Sequence, residues 1–229
     1  MTIRALLGAA CAAALVALPP AATAQPLPEW EVTITNATRG ETFTPVAVIT
    51  HLPGVRLFQV GRPAPAVLEA VAEEGNLTPL VTLAQSLPGA VYDVQTSGAP
   101  PAGLTMPGGT TTVRVTGRPT AQLTLVGMLI PSNDAFIAVN SVDLPNGFAP
   151  VTLDAVAYDA GTEVNDELCA SIPGPNYAEC GGPGGGGAPA AGAEGFVHVH
   201  AGIHGVGDFA AADRDWRNPI ARVVIRRVR

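Results

Sequence analysis

The sequence predicts an all-β protein: an antiparallel β-sandwich of about nine or ten strands with a short helical insertion. Three observations lead there. Gly and Pro number 26 and 22 in 229 residues. Inside a helix these residues cost about 1 and about 3 kcal/mol relative to Ala, whereas short strands joined by turns accommodate them. Short segments rich in β-branched residues recur between those turns. Apolar residues make up 47% of the chain, enough for one core, and neither an internal repeat nor a second domain boundary is visible.

The elements follow in order. Residues 1–24 read as an export signal: Arg4, an apolar run from Ala5 to Leu18, the break Pro19-Pro20, then Ala22-Thr23-Ala24 as the small-x-small cleavage pattern. The run falls short of the roughly 20 residues that span a bilayer, and the mature chain holds no longer one, so no transmembrane segment is expected. Residues 25–229 then form one domain. Segment 29–36 alternates, with Trp30, Val32 and Ile34 on one face. Strands follow at 44–50 and 55–60, separated by the turn Leu52-Pro53-Gly54. Helical spacing of Val67, Leu68, Val71 and Ala72 marks 63–75 as a helix stopped by Gly75, and a second short helix covers 78–86 with Pro79 in its first turn. Segments 110–116 and 121–130 read as a hairpin across Gly117-Arg118-Pro119. Strands at 136–142, 151–158, 195–200 and 220–228 complete the set, and the glycine-rich 181–193 reads as a mobile loop.

Charge and cysteine content narrow the function. The formal charge is −7, and all 12 basic residues are Arg. They cluster only near the C-terminus, so the basic stripe of a nucleic-acid binder is missing, and an anionic membrane is a poor partner. Outside the signal, the cysteines are Cys169 and Cys180. A pair in an exported chain reads as a disulfide, worth about 3 kcal/mol for a loop of that size.

Three segments carry a resemblance. PSNDAFIAVNSVDL at 131–144, YDAGTE at 158–163 and PIARVVIRRV at 219–228 resemble, in spacing and order, the spondin N-terminal domain family found in F-spondin and mindin. The rest of the chain is similar to exported bacterial members, through Thr38-Arg39-Gly40, the stretch from Thr50 to Gly61, and GFVHVHAGIHG. The resemblance implies a divalent cation, calcium or another hard ion, held by Asp134, Asp159 and Glu163. Calcium takes clustered hard oxygens, and carboxylates at one end of a sandwich repel one another unless a cation lies between them. Asn133 or Asn165 offers a further neutral oxygen. Two positions depart from the family pattern: Glu163 replaces Asp, and Ala135 replaces the Trp after the first acid. The local alternative is that these are solvated turn acids, since Asp and Gly favour turns in their own right.

The histidines are His51, His198, His200 and His204. In a strand, His198 and His200 share a face, and His204 follows closely enough to return toward them. With His51 they form a candidate second site for Zn2+ or Cu2+. The plainer alternative is hydrogen bonding to backbone and to Asp208, Asp213 or Asp215. The segment is similar to one in copper–zinc superoxide dismutases, but the remaining dismutase ligands are missing. No nucleophile elbow and no phosphate loop occurs. Aromatics make up only 5% of the chain, too few for a sugar cleft built on the paired acids. The expectation is a non-catalytic module, exported to the periplasm or beyond. It binds a divalent cation and serves adhesion or surface recognition of an extracellular or envelope protein or glycan. The rival is a histidine-based transition-metal protein or metalloenzyme of the envelope.

Overall fold

Every second residue of the first strand is buried, which is how an alternating sequence seats itself over a core. The structure, a computed structural model, describes residues 26–229; the export signal read at 1–24 lies outside the described residues. The elements run β1 Glu29–Asn36, β2 Thr42–Phe43, β3 Ala47–His51, α1 Ala66–Glu74, α2 Thr78–Gln85, β4 Val91–Thr96, β5 Thr110–Thr116 and β6 Gln122–Ile130. They continue with β7 Ala135–Asp143, β8 Val151–Asp159, β9 Asn176–Tyr177, β10 Gly182–Pro183, β11 His198–Val199, α3 Ala211–Arg214 and β12 Ala221–Arg227. The expected all-β architecture is present.

The main sheet has the order β4-β3-β6-β7-β8-β12-β1-β5, with β2 beside β6 and β11 beside β8, all antiparallel. Side chains stitch its two ends together. Thr116 of β5 donates its N–H and hydroxyl to Asp93 Oδ2 of β4, at 2.7 and 3.0 Å. Thr50 of β3 donates to the Thr116 carbonyl at 2.6 Å. The sheet therefore wraps into a sandwich that approaches a closed barrel.

Successive residues of β7 enter opposite clusters, as the pleat requires. Ala135, Ile137 and Val139 join Trp30, Val32, Leu125 and Ile225 in the main core. Phe136 and Ala138 face a second cluster with Phe58 and the buried face of the helices, Leu68, Val71, Ala72 and Leu80. The neighbouring β6 is buried on both faces, which explains its nearly continuous apolar run. Helix α1 ends at Gly75 as expected, in a left-handed cap whose Gly75 N–H bonds Val71 O (3.0 Å), while Asn76 N–H bonds Ala70 O (3.0 Å). The second helix also forms, with Pro in its first turn.

Several expectations are corrected. Segment 55–60 is not a strand, because both edges of β3 are already occupied, by β4 and β6. Its Phe58 instead packs edge-on against Phe136 and Tyr158, with centroids at 5.2 and 5.0 Å. The strand that takes the outer edge is β4, whose half-exposed residues gave little alternation to read. Segments 110–116 and 121–130 do not form a hairpin: β5 pairs with β1, and β6 with β3 and β7. Two strands adjacent in sequence look the same whether they pair with each other or lie across the sandwich. The strand at 195–200 shortens to His198–Val199.

Cys169 and Cys180 form the expected disulfide, with Cα atoms 5.6 Å apart. The glycine-rich stretch, expected as a mobile loop, is laid against the body of the protein. Gly185 N–H reaches Cys169 O at 2.8 Å, and Val164 N–H reaches Pro189 O at 3.1 Å. Gly184 and Gly185 lie directly on the carbonyls of Ile172 and Ala170, where a Cβ would not fit. No helix among the described residues is long and apolar enough to cross a membrane.

Candidate metal centre

Strand pairing brings the acids together. In the β7–β8 ladder Ala135 faces Asp159, so Asp134 and Asp159 lie at the same end of adjacent strands. Beyond Asp159 the chain reverses. Gly161 takes φ 68° and donates its N–H to Asp159 Oδ1 at 2.7 Å, an Asx-type turn. The loop then folds over Asp134. Thr162 N–H (2.8 Å), Thr162 Oγ1 (3.2 Å) and Glu163 N–H (3.2 Å) all donate to Asp134 Oδ2.

These donors leave part of the charge unanswered. Asp134, Asp159 and Glu163 are 0%, 1% and 2% exposed. Asp134 Oδ1 and Glu163 Oε2 are buried without a hydrogen-bond partner. Burial, reinforced by the Asp159 carboxylate, pushes the Asp134 pKa up to about 7. Burial and then the Glu73 carboxylate push Glu163 up to about 8. Asp159 is also raised by burial, and Asn165, His198 and Gly161 moderate the effect. Asn165 Nδ2 donates to Asp159 Oδ2 at 2.8 Å. Asn133, the other expected neutral ligand, is engaged instead by Asp166 and by the Glu167 N–H. Buried acids with orphaned oxygens are what a hard divalent cation would satisfy, although the ligand atoms of Asp134, Asp159 and Glu163 do not all lie within 4.8 Å of one another.

The histidine segment belongs to the same place. Strand β11 pairs with β8 so that His198 faces Asp159. His198 Nε2 lies 3.5 Å from Asp159 Oδ1 and 3.7 Å from Glu194 Oε2, while its Nδ1 is 3.1 Å from the Val199 carbonyl. Burial opposes charging His198, but the Val199 carbonyl, Asp159 and Glu194 outweigh it and raise its pKa. His200 Nε2 lies 3.6 Å from the other Asp159 oxygen. Its Nδ1 accepts the Gly202 N–H at 3.0 Å, and burial lowers its pKa to about 3.

The remaining histidines stand apart. His204 is exposed, and its loop is held by backbone N–H groups of His204, Gly205 and Val206 donating to Glu167. His51 lies at the far end of β6, opposite Gln122, and its ring bonds Leu52 O and Thr124 Oγ1, both at 2.9 Å. The expected grouping with His51 is therefore not formed. Among the described residues, the ligand atoms that all lie within 4.8 Å of one another belong to Asp159, Glu194 and His198. Glu194 was not singled out from the sequence, where it directly follows the glycine-rich stretch 181–193. Its one signal is an acid shortly before the histidine segment. Glu73 was missed because it reads as an ordinary polar-face residue of α1.

Residues 25–168, more than half of the chain, match the family model described as Spondin_N. The match includes Asp134, Asp159 and Glu163 and ends before Glu194 and His198. No match was found among curated proteins.

Proposed function

This chain belongs to the spondin N-terminal domain family, and on that premise we propose that it is a non-catalytic, extracellular-type recognition module set by calcium or another hard divalent cation. Asp134, Asp159 and Glu163 would hold the ion. The observation that carries this reading is the pair of orphaned oxygens, Asp134 Oδ1 and Glu163 Oε2, buried beside like charges. Desolvated carboxylates without a partner cost several kcal/mol, and a cation removes that cost.

The ion would hold the turn after Ile130, the YDAGTE loop and the glycine-rich stretch against one end of the sandwich. Loops placed by a rigid scaffold are where binding surfaces usually form. That end would present the surface to an extracellular or envelope protein or glycan. The disulfide, the family and the signal-like N-terminus all suit export to the periplasm or beyond.

Calorimetry on chelator-stripped protein tests the reading. The expected result is calcium heat with one ion per chain, a higher melting temperature in calcium, and loss of both in Asp134→Asn. No heat in the parent protein, or full retention in Asp134→Asn, would count against it.

A further inference from the structure

We propose a second metal site of different chemistry on the outer side of Asp159, where His198 Nε2, Asp159 Oδ1 and Glu194 Oε2 take a zinc-class ion. The two sites share Asp159, but His198 and Glu194 belong to this one alone, as Asp134 and Glu163 belong to the calcium site.

The geometry is close to what such an ion needs. The donor separations are 3.5 Å from His198 Nε2 to Asp159 Oδ1 and 3.7 Å to Glu194 Oε2. Bonds of about 2.1 Å in a tetrahedron put donors about 3.4 Å apart, close to these two separations, and the Asp159 and Glu194 ligand atoms lie within 4.8 Å of each other. His198 Nδ1 lies against the Val199 carbonyl at 3.1 Å. A proton on Nδ1 donates there and leaves the Nε2 lone pair facing the two carboxylates. Fixing the tautomer through a backbone carbonyl is the usual outer partner of a metal-binding histidine. Among the described residues, His198 Nε2 is also one of the buried side-chain atoms without a hydrogen-bond partner.

A second side chain points to the same spot. His200 is nine-tenths buried, and its Nε2, also unpartnered, faces Asp159 Oδ2 at 3.6 Å. Its Nδ1 accepts the Gly202 N–H, so in the neutral ring the proton sits on Nε2 and faces the carboxylate. His200 is thus a positioning residue for Asp159, and His198 is the ligand. Trp216 holds the His200 ring at a centroid distance of 4.9 Å, and Phe196 holds the His198 ring at 5.6 Å.

Ligand chemistry selects the ion class. An imidazole nitrogen favours zinc and its neighbours over calcium or magnesium. Asp159 is buried, while the His198 and Glu194 side chains are 27% and 37% exposed, so the ion has a route from solvent. With three protein ligands, one coordination position stays open toward the surface.

Zinc titration of chelator-stripped protein in saturating calcium tests this. The expected result is one zinc per chain, with Glu194→Gln and His198→Asn each weakening it at least tenfold and His204→Asn leaving it unchanged. Cobalt(II) should give the visible absorption of a four-coordinate centre, lost in the same two variants. Glu194 is exposed, so its variant should keep the parent melting temperature and calcium heat. Asp134→Asn should lose calcium and keep zinc, so the two readings fail separately. No zinc uptake, or uptake insensitive to both Glu194→Gln and His198→Asn, overturns the proposal.

Discussion

Replacing Gly161 with Ala should loosen the candidate centre from a single atom. Gly161 has φ 68°, a left-handed conformation that costs an L-residue about 1–2 kcal/mol. The added Cβ would also lie 2.7 Å from the Phe196 nitrogen and 2.9 Å from its carbonyl carbon, and closer still to its oxygen. Both partners are backbone, so neither can swing aside, and forced overpacking typically costs about 1–3 kcal/mol. Together these give a loss of about 2–5 kcal/mol. With a urea m-value of about 2 kcal/mol/M, the midpoint falls by about 1–2.5 M. The shift also pulls on the bond from Gly195 N–H to Gly161 O, 2.9 Å, which holds the approach to β11. Zinc uptake should therefore weaken along with stability. Urea unfolding with and without metal measures both effects. Gly147→Ala serves as the control, since nothing lies within 4 Å of its Cβ position. A loss below about 0.5 kcal/mol for Gly161→Ala would refute the reasoning, because that is the range of unconstrained surface substitutions.

Two further tests address the fold. Glu41 is fully buried, with neither carboxylate oxygen partnered, and burial, only partly offset by Arg214, raises its pKa well above the ordinary value of 4.5. Its folded pKa exceeds its unfolded one, so its contribution is most favourable below about pH 4.5 and is lost as pH rises, by at most about 1.4 kcal/mol per pH unit. Glu41→Gln should therefore match the parent near pH 4 and exceed it increasingly toward pH 8 in chemical denaturation; parallel pH profiles would contradict this. Removing the Cys169–Cys180 link with Cys169→Ala and Cys180→Ala together should cost about 3 kcal/mol, read as a lower midpoint that reductant no longer changes. An unchanged midpoint would mean that the link constrains little of the unfolded chain.

The fold was most legible where local pattern and burial coincide. Trp30, Val32 and Ile34 alternate because β1 has one covered face, and Gly75 ends α1 for reasons internal to the helix. Legibility failed where partners decide. Segment 55–60 has strand-like residues but no free edge to pair with, and 110–116 and 121–130 adjoin in sequence yet hydrogen-bond to other strands. The candidate centre divides in the same way. Asp134, Asp159 and Glu163 could be named from a resemblance carried by short motifs. Glu194 carries no motif, and His51 looked like a ligand only because it is a histidine.

By itself, the sequence determined that this chain makes an all-β sandwich with a short helical insertion and a disulfide, because alternation, turn residues and cysteine pairing act over a few residues at a time. Only the tertiary structure decided that the acidic loop and the histidine segment are one place. Asp159 and His198 are 39 residues apart along the chain and opposite each other across the β8–β11 ladder. Which residues meet across a ladder depends on the register of the folded sheet, and no spacing along the sequence encodes it.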